Sequence, residues 1–98
     1  MSESASASGG LGPDDIAERL QRLSGWRLED GKLVKTYSFP DFVAAVDFVD
    51  RLTPVAQAQN HHPDLLVGWG KVTVQLWSHD VGGITGRDFR LAAALDAL

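Results

Sequence analysis

The chain has 98 residues, 44% of them hydrophobic, no cysteine and a net charge of -4, so one globular domain with a modest core is expected. Lysine and arginine are scattered singly, which argues against nucleic acid or an anionic membrane as a partner, because phosphate binding needs concentrated positive charge. Without cysteine there are no disulfides, thiolate chemistry or cysteine-based zinc sites, and with no signal pattern and no stretch apolar enough to span a membrane, a cytoplasmic protein is expected.

Residues 1–10, MSESASASGG, are small, polar and of low complexity, which predicts a disordered tail ahead of a domain over residues 11–98. Gly12-Pro13-Asp14-Asp15 predicts a helix start: proline suits the first helical position and acids suit the first turn. Ile16, Leu20 and Leu23 give it one apolar stripe, and Gly25 is expected to end it. Residues 26–29 and 32–39 read as strands around Asp30-Gly31, a hairpin signal, since a type I′ turn needs positive φ at both positions. Leu33, Lys35, Tyr37 and Phe39 share one face of the second strand, with Val34 opposite.

Pro40-Asp41 opens a second helix whose buried stripe is expected to be Phe42, Val46, Val49 and Leu52. Pro54 falls inside it and predicts a kink near Leu52, with helix resuming to about Gln59. Residues 65–69 and 71–78 read as a second hairpin around Gly70. Val72, Val74 and Leu76 point one way; Lys71, Thr73, Gln75 and Trp77 point the other, and continued alternation puts His79 on the Trp77 side. Thr85, followed by Asp88, predicts the cap of a third helix striped by Leu91, Leu95 and Leu98. The order α-β-β-α-β-β-α predicts an α+β fold, a four-stranded antiparallel sheet with three helices on one face. The other face must be solvated or bind something.

The chemistry-bearing stretch is Asn60-His61-His62-Pro63-Asp64, between the second helix and second hairpin; the third histidine, His79, ends the last strand. Imidazole exchanges protons near neutrality, with an unperturbed pKa of ~6.5, so two histidines on one cleft make an acid/base pair. The pair alone is better explained as surface histidines. A metal site using Asp64 or Asp80 is the weaker alternative, because adjacent histidines diverge and rarely chelate one ion.

His61-His62-Pro63, five residues, Trp69, nine residues, His79, eight residues and Asp88 resemble the signature of the pterin-4a-carbinolamine dehydratases. Trp26 and Phe39-x-Asp41-Phe42 add to the resemblance, which spans residues 11–98. It implies loss of water from a 4a-hydroxytetrahydropterin to give quinonoid dihydropterin, in the recycling of tetrahydrobiopterin for aromatic amino acid hydroxylases, without metal or cofactor. Matched by position, His61 and His79 resemble the catalytic acid/base histidines and His62 the substrate-holding partner. Pro63 fixes the loop, and Ser78 and Asp80, flanking His79, offer backbone groups to the pterin. Trp26 and Trp69 are expected to pack, with walling the site as the other role. Asp88 fits the capping box first and the orientation of a histidine second.

The chain departs from the family at Gln57 and Asn60, where members often carry acids that favour a protonated histidine nearby. The missing charges predict lower turnover or a drifted role. The competing class is a non-catalytic binding, dimerisation or assembly module on the same scaffold, with unpaired edge strands suited to association. The resemblance also implies a homodimer or homotetramer.

Overall fold

A computed structural model describes residues 10–98; the tail expected over residues 1–10 lies outside these described residues, Gly10 apart. Helix α1 spans Pro13–Leu20, with Pro13 at its start and Asp14 and Asp15 in the first turn. It ends at Leu20, earlier than the expected stop at Gly25. The N–H groups of Arg22 and Leu23 bond to the carbonyls of Arg19 and Leu20, a tighter i→i+3 pattern that winds the chain out of α geometry.

Strands β1, Arg27–Glu29, and β2, Lys32–Ser38, pair antiparallel with Glu29 opposite Lys32. Asp30 and Gly31 both take positive φ, 52° and 76°, as the type I′ turn requires. Helix α2, Phe42–Ala58, is capped by Asp41, whose carboxylate accepts from the Ala44 N–H at 2.9 Å. It runs through Pro54 without interruption, so no break appears near Leu52. Its buried face is Ala45, Phe48, Leu52 and Ala56, not the expected Phe42–Val46–Val49–Leu52 stripe; Phe42 is half exposed. The helix is apolar on several faces, and two of the four buried positions are alanines.

Strands β3, Asp64–Val67, and β4, Lys71–Leu76, form the second hairpin, and helix α3 spans Gly86–Asp96. The strands are all antiparallel neighbours in the order β1-β2-β4-β3. Leu33, Val72, Val74 and Leu76 from the sheet join Ile16 of α1, Phe48 and Leu52 of α2, and Leu91 and Leu95 of α3 in one buried cluster. The three helices therefore share one sheet face, while Thr73 and Gln75 on the other stay partly exposed. Gly70 is required where the hairpin turn crosses β2's end: a Cβ there would lie 2.9 Å from the Phe39 carbonyl oxygen. No helix among the described residues is long and apolar enough to cross a membrane.

Candidate active site

The topology brings the chemistry-bearing loops together. β3 begins at Asp64 and lies antiparallel to β4, with Asp64 opposite Gln75. The segment leaving α2 is thus held beside the segment leaving β4. Asn60, His61, His62, Pro63 and Asp64 from the first, and His79 and Asp80 from the second, line a cavity of about 390 Å³, within the size range of small-molecule sites.

Asn60 does more than line it. Its φ is 50°, and its N–H bonds the Gln57 carbonyl while the His61 N–H bonds that of Ala56. This is a Schellman ending with asparagine in the left-handed position, which closes α2 and turns the chain at His61, whose side chain is buried. Asparagine tolerates that conformation better than most residues. Pro63 then keeps His62 out of helical geometry.

His61 is 7% exposed, and its Nε2 lies 2.6 Å from Oδ1 of Asp88, which is fully buried. The other carboxylate oxygen, Oδ2, accepts from the Ser78 hydroxyl and the Thr85 N–H, both at 2.9 Å. As a carboxylate Asp88 only accepts, so the His61 proton on this bond sits on Nε2 and Nδ1 is the ring nitrogen left over. The capping box expected from Thr85 and Asp88 is present, and the same aspartate also holds the histidine; cap and orientation are one side chain. Ser78, expected to offer groups to a ligand, instead turns inward. It is fully buried, its N–H donates to Gly83 and its carbonyl accepts from the N–H groups of Val81, Gly82 and Gly83.

His79 is held differently. Its side chain is 59% exposed, stacks on Trp77 with ring centroids 4.0 Å apart, and stands 3.9 Å from the Asp64 carboxylate. Asp64 also accepts a 3.3 Å hydrogen bond from the Trp77 indole. Sequence reasoning missed this role of Trp77 and Asp64. The alternation that puts Trp77 and His79 on one face was the available signal for the stack; the Asp64 contact depends on strand register, which no local pattern shows.

His62 is exposed, with Nε2 2.9 Å from Gln57 Oε1; since an amide oxygen only accepts, the imidazole donates. Asp80 pairs with Arg87 at 2.8 Å, and that guanidinium holds its carboxyl below the ordinary carboxylate range. Trp26 is buried and donates its indole N–H to Asp96 at 3.0 Å, a packing position away from the cavity. Trp69, expected to pack, is 73% exposed. It sits at the hairpin tip, at the far end of β3 from Asp64, roughly 10 Å or more along the strand, so it neither packs nor walls the cavity. Among the described residues no group of three His, Asp or Glu side chains is placed to hold a metal ion.

The profile of the Pterin 4 alpha carbinolamine dehydratase family matches residues 10–98. A provisionally named pterin-4-alpha-carbinolamine dehydratase of Thermosynechococcus vestitus is 44% identical over 88 residues, covering 90% of this chain and 93% of the relative. Among solved structures, a transcriptional coactivator/pterin dehydratase from Brucella melitensis superposes with a TM-score of 0.84 at 29% identity, over 90% of this chain and 96% of that one. A pterin dehydratase-like protein, identified as a RuBisCO assembly factor in the alpha-carboxysome, shares the fold with a TM-score of 0.62 at 24% identity, over 74% and 87%.

Proposed function

Since the chain belongs to the pterin-4-alpha-carbinolamine dehydratase family, we propose that it dehydrates a 4a-hydroxytetrahydropterin to quinonoid dihydropterin. In that reaction the C4a–O bond breaks, an acid protonates the departing oxygen, a ring N–H gives its proton to a base, and water leaves. No electrons are exchanged. The observation that supports this most is the meeting of His61, His62 and His79 on one cavity.

The two settings suit two roles. His61 has Nε2 committed to Asp88, so Nδ1 serves as the base for the ring N–H. His79, largely exposed, serves as the acid on the side from which water departs. His62 and Gln57 hold the pterin edge, Pro63 and Asn60 shape the loop, and Asp80 contributes a polar wall. By the same reading the enzyme is a cytoplasmic hydro-lyase of tetrahydrobiopterin recycling, serves an aromatic amino acid hydroxylase, and works as a homodimer or homotetramer.

The test is a coupled hydroxylase assay that follows loss of the 4a-hydroxy intermediate. His61→Ala and His79→Ala proteins are expected to be folded but slower by about 10²–10⁴-fold, the usual weight of a general acid or base. Full rate in both would end the reading.

One observation favours a second reading, a binding or assembly module. β3 is an edge strand, and Leu66, Val67 and Trp69 on or beside it are exposed, Leu66 at 63%. Such an edge offers backbone groups and apolar surface to another chain. Tryptophan fluorescence decides between the two: quenching by a pterin at micromolar concentration supports the enzyme, and no quenching supports the module.

A further inference from the structure

The capping box of α3 accounts for Thr85 and Asp88, but not for Ser78. A cap needs only the Thr85 hydroxyl on the first-turn N–H groups and the aspartate on the Thr85 N–H. Ser78 comes from the loop after β4, and its hydroxyl is fully buried between Thr85 Oγ1, at 2.7 Å, and Asp88 Oδ2, at 2.9 Å.

The direction of every bond in this group can be deduced. The backbone N–H of Arg87 and its Nε–H both point at Thr85 Oγ1, at 3.2 and 3.3 Å, and both can only donate. Thr85 Oγ1 is therefore occupied as an acceptor, and its own proton goes to Ser78. Ser78 in turn donates to Asp88 Oδ2. The Thr85 N–H donates to the same oxygen. Two donors on Oδ2 fix the carboxylate plane and leave Oδ1 to His61. At its outer end the chain reaches Arg87, whose guanidinium also holds Asp80. It thus links Asp80 to His61, with donors from Ser78, the Thr85 N–H and His61 converging on the Asp88 carboxylate, and hydrogen bonds in such a network strengthen one another.

We propose that Ser78 and Thr85 are positioning residues: through Asp88 they hold the His61 imidazole in one tautomer and one orientation, with Nδ1 turned to substrate. The kinetic part rests on the dehydratase reading; the tautomer does not. Removing the Ser78 hydroxyl leaves Oδ2 with one donor and frees the carboxylate to rotate out of line with Nε2; while that bond is broken His61 is free to take either tautomer.

The experiment uses the full chain labelled with ¹⁵N histidine. The wild-type protein should show His61 as a single Nε2–H tautomer with a slowly exchanging, downfield ring proton. Ser78→Ala should lose that proton signal and show averaged ring nitrogen shifts at His61, with His62 and His79 unchanged. Its kcat should fall about tenfold, as expected for one hydrogen bond to a charged group, with KM within about twofold if binding is untouched. Thr85→Ser, which keeps the hydroxyl, should leave both readouts as in the wild type. If Ser78→Ala does not fold, Ser78→Cys keeps the shape but offers Asp88 Oδ2 only a weak donor, and the same signal is read. A folded Ser78→Ala protein with the wild-type His61 tautomer would overturn the proposal. A wild-type protein without dehydratase activity, but with the tautomer change in Ser78→Ala, would remove the enzyme reading and leave this one standing.

Discussion

His61 and His79 line one cavity, yet they are built into it by opposite means. His61 is buried, bonded at 2.6 Å to an aspartate that has no solvent contact, and backed by two hydroxyls. His79 is more than half exposed, stacked on an indole, and its aspartate, 3.9 Å away, is also more than half exposed. Burial strengthens each electrostatic contact and makes a missing partner expensive, so the His61 wall must be complete to exist at all. The His79 wall has water as a ready substitute for every contact except the stack. One wall is therefore expected to be rigid and intolerant of change, and the other adaptable.

Asp88→Asn breaks the comparison hardest. The amide puts a donor where three donors already converge, so one of them is left facing an N–H. A buried donor left without an acceptor costs up to about 3 kcal/mol, and denaturant unfolding should show a loss of that order. Where the variant is folded, kcat should fall at least about 10²-fold if His61 is the base proposed above, because it loses its orienting partner.

Next comes a control on the same helix. α3 carries Asp88 in its first turn and Asp96 at its last residue. Asp96 accepts from Lys35 at 2.8 Å, from the Tyr37 hydroxyl, and from the Trp26 indole at 3.0 Å. Burial pushes the Asp96 carboxyl up, but these three donors outweigh it and hold it below its ordinary value. Burial, together with the Asp96 carboxylate, pushes the Tyr37 hydroxyl up. A depressed carboxyl contributes stability that is present above its unfolded pKa of ~3.9 and is lost as pH falls through the lower folded value. Asp96→Asn should cost about 1–3 kcal/mol at pH 7, and the gap from wild type should narrow below about pH 4. The rate of folded protein should not change, because the cluster anchors the end of α3 remote from the cavity.

How much of this was legible beforehand follows from the range of each signal. The hairpin at Asp30-Gly31, the helix start at Pro40-Asp41, the Thr85 cap and the element order are local chemistry, and they read correctly. The buried face of α2 did not, because Phe42, Val46 and Val49 sit at helical spacing as convincingly as Phe48 and Leu52, and alanines at 45 and 56 carry little weight in a hydropathy stripe. Asn60 carries a helix-ending signal, since asparagine shortly before a proline is a stop signal. The bond between His61 and Asp88 spans 27 positions. Only the family spacing pointed to it, and spacing does not say that Ser78 turns inward to complete it.

The adaptable wall predicts smaller effects. Asp64→Asn removes a charge whose neighbours are exposed, where such pairs contribute about 0.2–1 kcal/mol. The rate should fall by no more than about fivefold, and the loss should shrink further in 0.5 M salt, where screening acts within roughly 4–5 Å. Trp77→Phe keeps a stacking face but loses the indole donor to Asp64, and should behave alike. A loss as large as that of Asp88→Asn would show the His79 wall to be as tightly built as the other.

The smallest effect is expected at Gln57, and it tests whether the third histidine belongs to either wall. Gln57 accepts from His62 at 2.9 Å on the exposed side of the loop. In Gln57→Glu the same contact becomes a charge-assisted bond, which favours the protonated imidazole. At an exposed site such a gain is about 0.2–1 kcal/mol, which corresponds to an upward move of roughly 0.2–0.7 unit in the pH optimum, at 1.36 kcal/mol per unit. Stability should stay within about 0.5 kcal/mol. An optimum that rises by this amount places His62 among the groups whose protonation the reaction senses, on the adaptable side. Identical pH–rate curves would separate His62 from the proton transfers and, on the proposed reading, leave them to His61 and His79, with His62 only binding the pterin edge.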